Sequence, residues 1–559
     1  MAWKSNKNPM FRTKFSEDIF NTKYAHENAT TWAELSRTLV EDVCRDMMPQ
    51  DEKDELIDHL TNLRWVAGGR YLYYAGRKNK FFNNCFLLKA EEDTREDWAN
   101  LSWKSESCLM TGGGIGIDYS IYRPAGSALG GTGGTASGAV TKMRMINEIG
   151  RSVMQGGSRR SAIYASLNWK HGDIYDFLNA KNWQDMPVGK SGYTLFDAKQ
   201  DDFNFPAPLD MTNISVNYDT EWLLNYWKTG EVGDVFMKNC RQALSTAEPG
   251  FSFNFFDKES ETLRNACTEV TSDSDSDLCN LASLNFARID DIDQLNSIVY
   301  LVTKFLICGT IVAQLPYEKI YETREKNRRL GLGLMGLHEW LIKRGETYEV
   351  TPELHRWLKV YQDVSNGTSA KFADELSVSR PVAKRAVAPT GTIGIIAGTT
   401  TGVEPLFAVA YKRRYLKNNR WHYQYVVDAA AQEMIDVHGA NPDKIESAID
   451  LADDYERRMK FQFDVQAYVD MSISSTINLP SWGTPLNNED KVEGFAQTLA
   501  KYAHGLRGFT VYPDGARGGQ PLTSVPYSEA VEKTGDEFEE SIETHDICDI
   551  TQHGGSCGV

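Results

Sequence analysis

From about residue 66 to Tyr512 the chain alternates short strand-like apolar runs with amphipathic helical stretches, and glycine clusters mark many of the changeovers. Asn84-Cys85-Phe86-Leu87-Leu88 reads as a buried strand, Trp98 to Met110 and Ala139 to Met154 as helices, Asn213-Ile214-Ser215-Val216 as a strand and Thr220 to Tyr226 as a further helix. A hydrophobic period that keeps switching in this way argues an α/β fold with a largely parallel sheet or barrel. Residues 15–65 lack the alternation and read as helical, with Asp51-Glu52-Lys53-Asp54 opening a charged helix. The expected organisation is a helical lead-in at 1–65, one large unit at 66–525, and a flexible acidic tail at 526–559 that carries two cysteines.

The formal net charge of −17 argues against broad attraction to DNA, RNA or acidic lipid, while leaving room for a nucleotide held at a local anion site. No stretch reaches about 18 uninterrupted apolar residues. The start, Met1 to Lys14, lacks the apolar core of a secretory signal. A cytoplasmic protein with no membrane partner is expected. The nine cysteines include no C-x-x-C pair, so no metal site is expected. Cys44, Cys108, Cys240 and Cys308 fall in helix-like patterns and read as small core residues. Cys85, Cys267, Cys279, Cys548 and Cys557 remain as candidates for chemistry.

Asn265-Ala266-Cys267-Thr268-Glu269 places an amide, a thiol and a carboxylate at alternate positions. In an extended segment these three side chains project from one face. Cys279 follows twelve residues later (279 − 267) on a strand-like run, Leu278 to Leu284, after a polar turn, Thr271 to Asp277. Cys267 and Cys279 can meet across a hairpin, as can either with Cys85, and spacing does not choose among these pairs. Cys548 and Cys557, on a glycine-bearing tail, suit thiol–disulfide exchange with a buried pair. Ala388-Pro389-Thr390-Gly391-Thr392-Ile393-Gly394 lacks the Walker lysine, yet its backbone N–H groups suit an anion nest ahead of a helix starting at Thr392. An ordinary strand-to-helix turn has the same composition. Gly112-Gly113-Gly114 allows close backbone approach to a ligand, and Arg159-Arg160 in a glycine-flanked loop suits a nucleotide contact.

Taken in order, Asn84-Cys85-Phe86, Thr111 to Gly116, Gly156 to Arg160, Glu248-Pro249-Gly250, Asn265 to Glu269, Leu330 to Gly336, Ala388 to Ile395 and Ser475 to Pro480 resemble the catalytic subunit of ribonucleotide reductases over roughly residues 15–525. The resemblance implies a ten-stranded α/β barrel of two five-stranded halves around a central finger loop, with Cys267 on that loop and shielded from water. It implies reduction of a ribonucleoside di- or triphosphate to the deoxynucleotide for DNA precursor synthesis. In that scheme Cys267 holds the thiyl radical, Glu269 is the general base, Asn265 orients the ribose, and Cys85 with Cys279 is the reducing pair. Asn84, Gly113, Arg159, Thr390, Gly391, Thr392 and Ile393 would bind substrate. A deoxynucleotide effector would sit near Asp93 and Arg123, at the interface of a homodimer. Cys548 and Cys557 would shuttle electrons from a thioredoxin-like reductant, although their spacing of nine is wider than the family's close pair. No separate ATP-binding cone is expected ahead of the lead-in.

The segment Gly508-Phe509-Thr510-Val511-Tyr512-Pro513-Asp514-Gly515 has one tyrosine where the subunit-activated class has an adjacent pair. With the Ala-Pro-Thr-Gly-Thr-Ile loop it resembles the adenosylcobalamin-dependent class, and adenosylcobalamin is the expected cofactor. The alternatives are a large subunit served by a separate radical-generating metal subunit, and a non-catalytic nucleotide-binding protein with incidental thiols.

Overall fold

The structure, a computed structural model, describes residues 5–153, 161–189, 192–202, 205–417, 420–516 and 522–539. Three helices lead in: α1 (Lys14–Lys23), α2 (Trp32–Cys44) and α3 (Gln50–Thr61). Thr13 caps α1 by accepting from the Ser16 N–H, and Thr31 with Glu34 forms a reciprocal capping box on α2. Their apolar faces, including Phe20, Trp32, Leu39 and Leu56, are buried in the common core.

The main sheet begins with β1 (Trp65–Ala67), β2 (Cys85–Leu88), β3 (Gly114–Asp118), β4 (Ile163–Asn168), β5 (Thr212–Tyr218) and β6 (Gly250–Phe253). Strands β2 to β6 run parallel, each beside the next. A small hairpin, β7 (Leu263–Arg264) and β8 (Thr271–Ser272), precedes β9 (Asp277–Asn285) and β10 (Leu330–Met335), which pair in parallel. After a second hairpin, β11 (Ala410–Lys417) and β12 (Arg420–Val427), come β13 (Thr476–Leu479) and β14 (Gly508–Pro513), again parallel.

The ten strands of the main sheet follow the order β1-β9-β2-β3-β4-β5-β6-β14-β13, with β10 on the other edge of β9. Two parallel halves therefore meet at two antiparallel seams, β2 against β9 and β6 against β14. Residues 383–387 bridge the remaining gap. Leu332 N–H donates to the Lys384 carbonyl, Ala386 N–H to Leu332, Val387 N–H to Ser472, and Ser474 N–H to Val387, so hydrogen bonds pass from β10 to the chain entering β13. The expected α/β architecture in two halves is present, with 383–387 as the bridged fifth member of the second half.

Parallel strands are covered on both faces, and all nine residues of β9 are buried. The helix Ile292–Val312, with a mean hydropathy of 1.8, is long and apolar enough to cross a membrane by length and composition. It is largely buried, packed against β9 and the helix Pro352–Glu375, as an all-round apolar helix in a large core is. The helix expected from Trp98 starts at Arg95, because Thr94 caps it by accepting from the Asp97 N–H.

Secondary structure continues past the tail boundary expected at 526. β15 (Leu522–Ser524) pairs with β11, and β16 (Glu537–Glu539) pairs with β12. Ala530, in the short helix Tyr527–Ala530, is buried against Ala410 and Val427. Its apolar contacts are hidden in sequence by the surrounding acidic residues. Arg159, Arg160, Cys548 and Cys557 lie outside the described residues.

Candidate active site

The central hairpin is built around a turn. Arg264 pairs with Thr271 at its neck. The Asn265 carbonyl accepts from the Thr268 N–H at 2.9 Å, and Thr268 adopts a left-handed φ of 70°. The stretch is therefore not extended, and the expectation that the side chains of 265, 267 and 269 share one face is corrected. Asn265 and Glu269 are buried at 0% and 1% exposure, whereas Cys267, at the apex, is exposed. The shielding from water expected for this thiol is likewise absent in the free chain. The turn places Cys267 at the exposed end of the hairpin, with the buried neck behind it.

Asn265 ties the hairpin to the reducing-pair candidates. Its Nδ2 donates to Cys85 Sγ at 3.0 Å, and its Oδ1 accepts from the Val270 N–H at 2.9 Å. Cys85 opens β2 and is the register partner of Cys279 in β9. Of the three candidate pairs, this one stands side by side in the sheet register. Burial pushes the Cys85 thiol well above its ordinary value, and the neighbouring Glu269 and Cys267 add to the shift. Burial, then Glu269 and Asp277, do the same to Cys279. Both sulfurs therefore keep their protons at neutral pH and are hydrogen donors rather than thiolates. Close packing requires a glycine behind them, because a Cβ at Gly331 would lie 2.8 Å from Cys279 Sγ.

Glu269 is the electrostatic centre of the group. Burial raises its carboxyl from 4.5 to about 7, against a hydrogen bond with Asn265 that lowers it, and its Oε2 has no hydrogen-bond partner. A buried carboxyl poised near neutrality, with one unused oxygen, is suited to accept a proton from a bound ligand.

The hairpin is held from several sides. Thr262 Oγ1 donates to Asp118 at 2.6 Å, Asn213 Nδ2 to the Ala266 carbonyl at 3.2 Å, and Ser472 N–H to the Glu269 carbonyl at 2.8 Å. Glu261 accepts from Thr271 at 2.7 Å and pairs with Arg507 at 3.0 Å. Despite the opposing effect of burial, Arg507 and Thr271 bring the Glu261 carboxyl down to about 2. Most of these supports were not apparent from the sequence, since they join residues far apart in the chain with no shared local pattern.

Asn84 and Gly113 flank Cys85. The Asn84 carbonyl accepts from the Gly114 N–H at 2.8 Å, its side-chain Oδ1 has no hydrogen-bond partner, and a Cβ at Gly113 would press on the Phe86 ring. The glycine turn at 388–394 forms a short helix, Gly391–Ala397, one residue earlier than expected. Thr390 precedes it in a left-handed conformation, and its Oγ1 accepts from the Gly402 N–H at 2.8 Å. Gly391 and Ile393 are buried and Thr392 half-buried. Ala388 shares an apolar cluster with Cys279, Leu263 and Val270, which places the start of this turn beside the thiol group. Asp93 and Arg123 form their own ion pair at 2.5 Å on a more exposed surface.

Fold and site together define a mixed α/β protein whose two parallel sheet halves surround a thiol-bearing hairpin. The family model described as "Ribonucleotide reductase, barrel domain" matches residues 83–198, 219–375 and 382–512, and the chain belongs to this family. It is 28% identical over 514 residues to a vitamin B12-dependent ribonucleoside-diphosphate reductase of Mycobacterium tuberculosis, covering 83% of this chain and 72% of that protein. A protein of the same name from Thermoplasma acidophilum is 28% identical over 521 residues, covering 83% of this chain and 65% of that one. Among solved structures, the Actinobacillus ureae class Id ribonucleotide reductase alpha subunit superposes with a TM-score of 0.69 at 16% identity, over 90% of this chain and 97% of that one. At that identity the likeness concerns the fold.

Proposed function

We propose that this chain reduces ribonucleotides to 2′-deoxyribonucleotides by thiyl-radical chemistry, supplying precursors for DNA. The observation that carries the reading is the cluster itself: an exposed apex thiol, a buried carboxyl near pKa 7 two residues on, and two buried thiols in direct register. In this reading Cys267, as a thiyl radical, takes the 3′ hydrogen atom of the ribose and returns it at the end of the turnover, regenerating the thiyl, while Glu269 accepts the 3′-hydroxyl proton and gives it back. Asn265 spans Cys85 and the hairpin, so it sets the distance between base and reductant while orienting the ribose. Cys85 and Cys279 supply two hydrogens: the 2′-hydroxyl leaves as water, carbon 2′ gains hydrogen, and the two sulfurs join as a disulfide. Asn84, Gly113 and the turn from Thr390 to Ile393 would hold the substrate, with Arg159 as a further contact. Asp93 and Arg123 would take an effector, and Cys548 and Cys557 would relay electrons from a thioredoxin-like reductant.

For radical initiation, adenosylcobalamin is the reading favoured by the names of the relatives and by the residues around Tyr512. Position 511 is a fully buried valine, so no second tyrosine adjoins Tyr512 there. The exposed Cys267 thiol fits a group that must act on it directly, and the segment from Thr510 to Gly515 would face that group. When bound, adenosylcobalamin supplies a carbon-centred radical through homolysis of its cobalt–carbon bond. The test is anaerobic incubation of the chain with ribonucleoside di- or triphosphate, a dithiol and adenosylcobalamin, followed by deoxynucleotide analysis. Product is expected with no second protein. Turnover only with a separate metal-containing subunit would overturn the cofactor assignment, and undiminished function of Cys267→Ser would overturn the reductase reading.

A further inference from the structure

We infer that Arg264 is a positioning residue, whose guanidinium pins the Cys267 hairpin to one seam of the sheet while Asn265 pins it to the other. The importance of that placement for turnover rests on the proposed reductase reading, but the geometry stands without it. Arg264 is fully buried. Its Nη1 donates to the carbonyls of Glu261 at 2.5 Å and Leu263 at 3.0 Å. Its Nη2 donates to the Phe253 carbonyl at 3.4 Å, Asn254 Oδ1 at 2.7 Å and the Arg507 carbonyl at 3.1 Å.

These acceptors belong to three chain segments. Phe253 ends β6 and Asn254 follows it, Arg507 leads into β14, and Glu261 and Leu263 form the rising side of the hairpin. β6 and β14 are the antiparallel seam between the halves. The next residue, Asn265, donates to Cys85 at the opposite seam. Neighbouring residues at a strand end project to opposite sides. Two consecutive side chains thus brace the hairpin between the two lines where the halves join, with Cys267 two residues beyond.

The choice of arginine is costly, which argues that the fork is used. Its five acceptors are four carbonyls and one amide oxygen, none of them charged, and Arg507 lies close enough to repel it. Burial, then Arg507, lowers its pKa to about 9. The Glu261 and Asp118 carboxylates offset only part of this cost, and a buried cation whose direct acceptors are all neutral is retained where its directional donors are needed. A planar guanidinium can serve three segments at once, whereas a lysine ammonium on the same stem cannot match the geometry.

The experiment compares wild type with Arg264→Lys and Arg264→Met, using full-length protein. Hydrogen–deuterium exchange is followed in peptides covering 263–272 and, as a control, β4. Positioning predicts exchange at least tenfold faster in the hairpin, where Thr268 N–H bonds to Asn265, with β4 unchanged. In the turnover assay it predicts a kcat at least tenfold lower with KM for the ribonucleotide within twofold. Wild-type exchange in the hairpin overturns the inference, as does equal acceleration in β4, which would mark a general folding role. Faster hairpin exchange with kcat unchanged overturns the link to chemistry. If neither Arg264 variant folds, Asn254→Ala removes one acceptor and leaves the guanidinium. A threefold rise confined to the hairpin then supports the inference, and no rise overturns it. The exchange result is independent of catalysis, so failure of the reductase reading and failure of the brace are separable.

Discussion

Cys85 stands directly opposite Cys279, its register partner across the antiparallel seam between β2 and β9. Such partners have Cα atoms about 4.5–5.5 Å apart, inside the range a disulfide spans. A single turnover without external reductant should therefore leave these two sulfurs joined. Peptide mapping of non-reduced protein should recover the Cys85 and Cys279 peptides linked, and Cys85→Ser should give no normal turnover. A linkage of Cys267 to Cys279 instead would contradict the assigned roles.

Glu269 makes the site sensitive to pH in two ways. As a base it must be ionised, so kcat should fall about tenfold per unit below pH 7, and Glu269→Gln should lower kcat roughly 10²–10⁴-fold. Its folded-state pKa of about 7 exceeds the ordinary 4.5, so the native state holds the proton more tightly. The associated stability is complete below about pH 4.5, declines as pH rises through 7, and amounts to roughly 3 kcal/mol. Urea unfolding at pH 5 and pH 8 should show wild type losing stability relative to Glu269→Gln as pH rises. Parallel curves for the two proteins would refute the assignment.

Exposure separates the thiols chemically. Among the described cysteines Cys267 is exposed, while Cys44, Cys85, Cys108, Cys240, Cys279 and Cys308 are buried. Brief treatment of the native chain with iodoacetamide should modify Cys267 before any of those six, as judged by peptide mass spectrometry. Cys267→Ser should abolish deoxynucleotide formation yet change unfolding free energy by no more than about 0.5 kcal/mol, because the replaced atom is at the surface.

Gly116 provides a steric test of the hairpin's placement. A Cβ there would overlap the Arg264 carbonyl and crowd the Asn265 Cα, both of them backbone atoms with little freedom to yield. Gly116→Ala should cost about 1–3 kcal/mol and depress kcat with the fold retained. Circular dichroism and thermal melts measure the first effect and turnover the second. Wild-type activity in this variant would show that the hairpin can shift without penalty.

Much of the frame was legible in sequence because parallel, doubly covered strands leave continuous apolar runs such as Cys85 to Leu88, and glycines mark the turns between them. The site's residue types were legible for a similar reason: Asn265, Cys267 and Glu269 lie within five residues. Their arrangement was not. The left-handed Thr268 converts an apparently extended stretch into a turn, and only a tertiary cage could favour that conformation for a β-branched residue. The supports were invisible for a related reason. Arg264 reaches Arg507 and Glu261 reaches the same residue across most of the remaining chain, without any periodicity that could announce the contact.

The hairpin is closed in partly by β14, and this has a consequence for the newly made chain. Gly508 follows Cys267 by 241 residues (508 − 267). At synthesis rates of about 5–20 residues per second, the thiol waits roughly 12–48 s on the ribosome before its last wall emerges. During that interval the hairpin that carries the exposed thiol has neither the Arg507 carbonyl nor β14 to brace it. The order in which the polypeptide is translated thus leaves the hairpin without one of its two braces until most of the chain has been made.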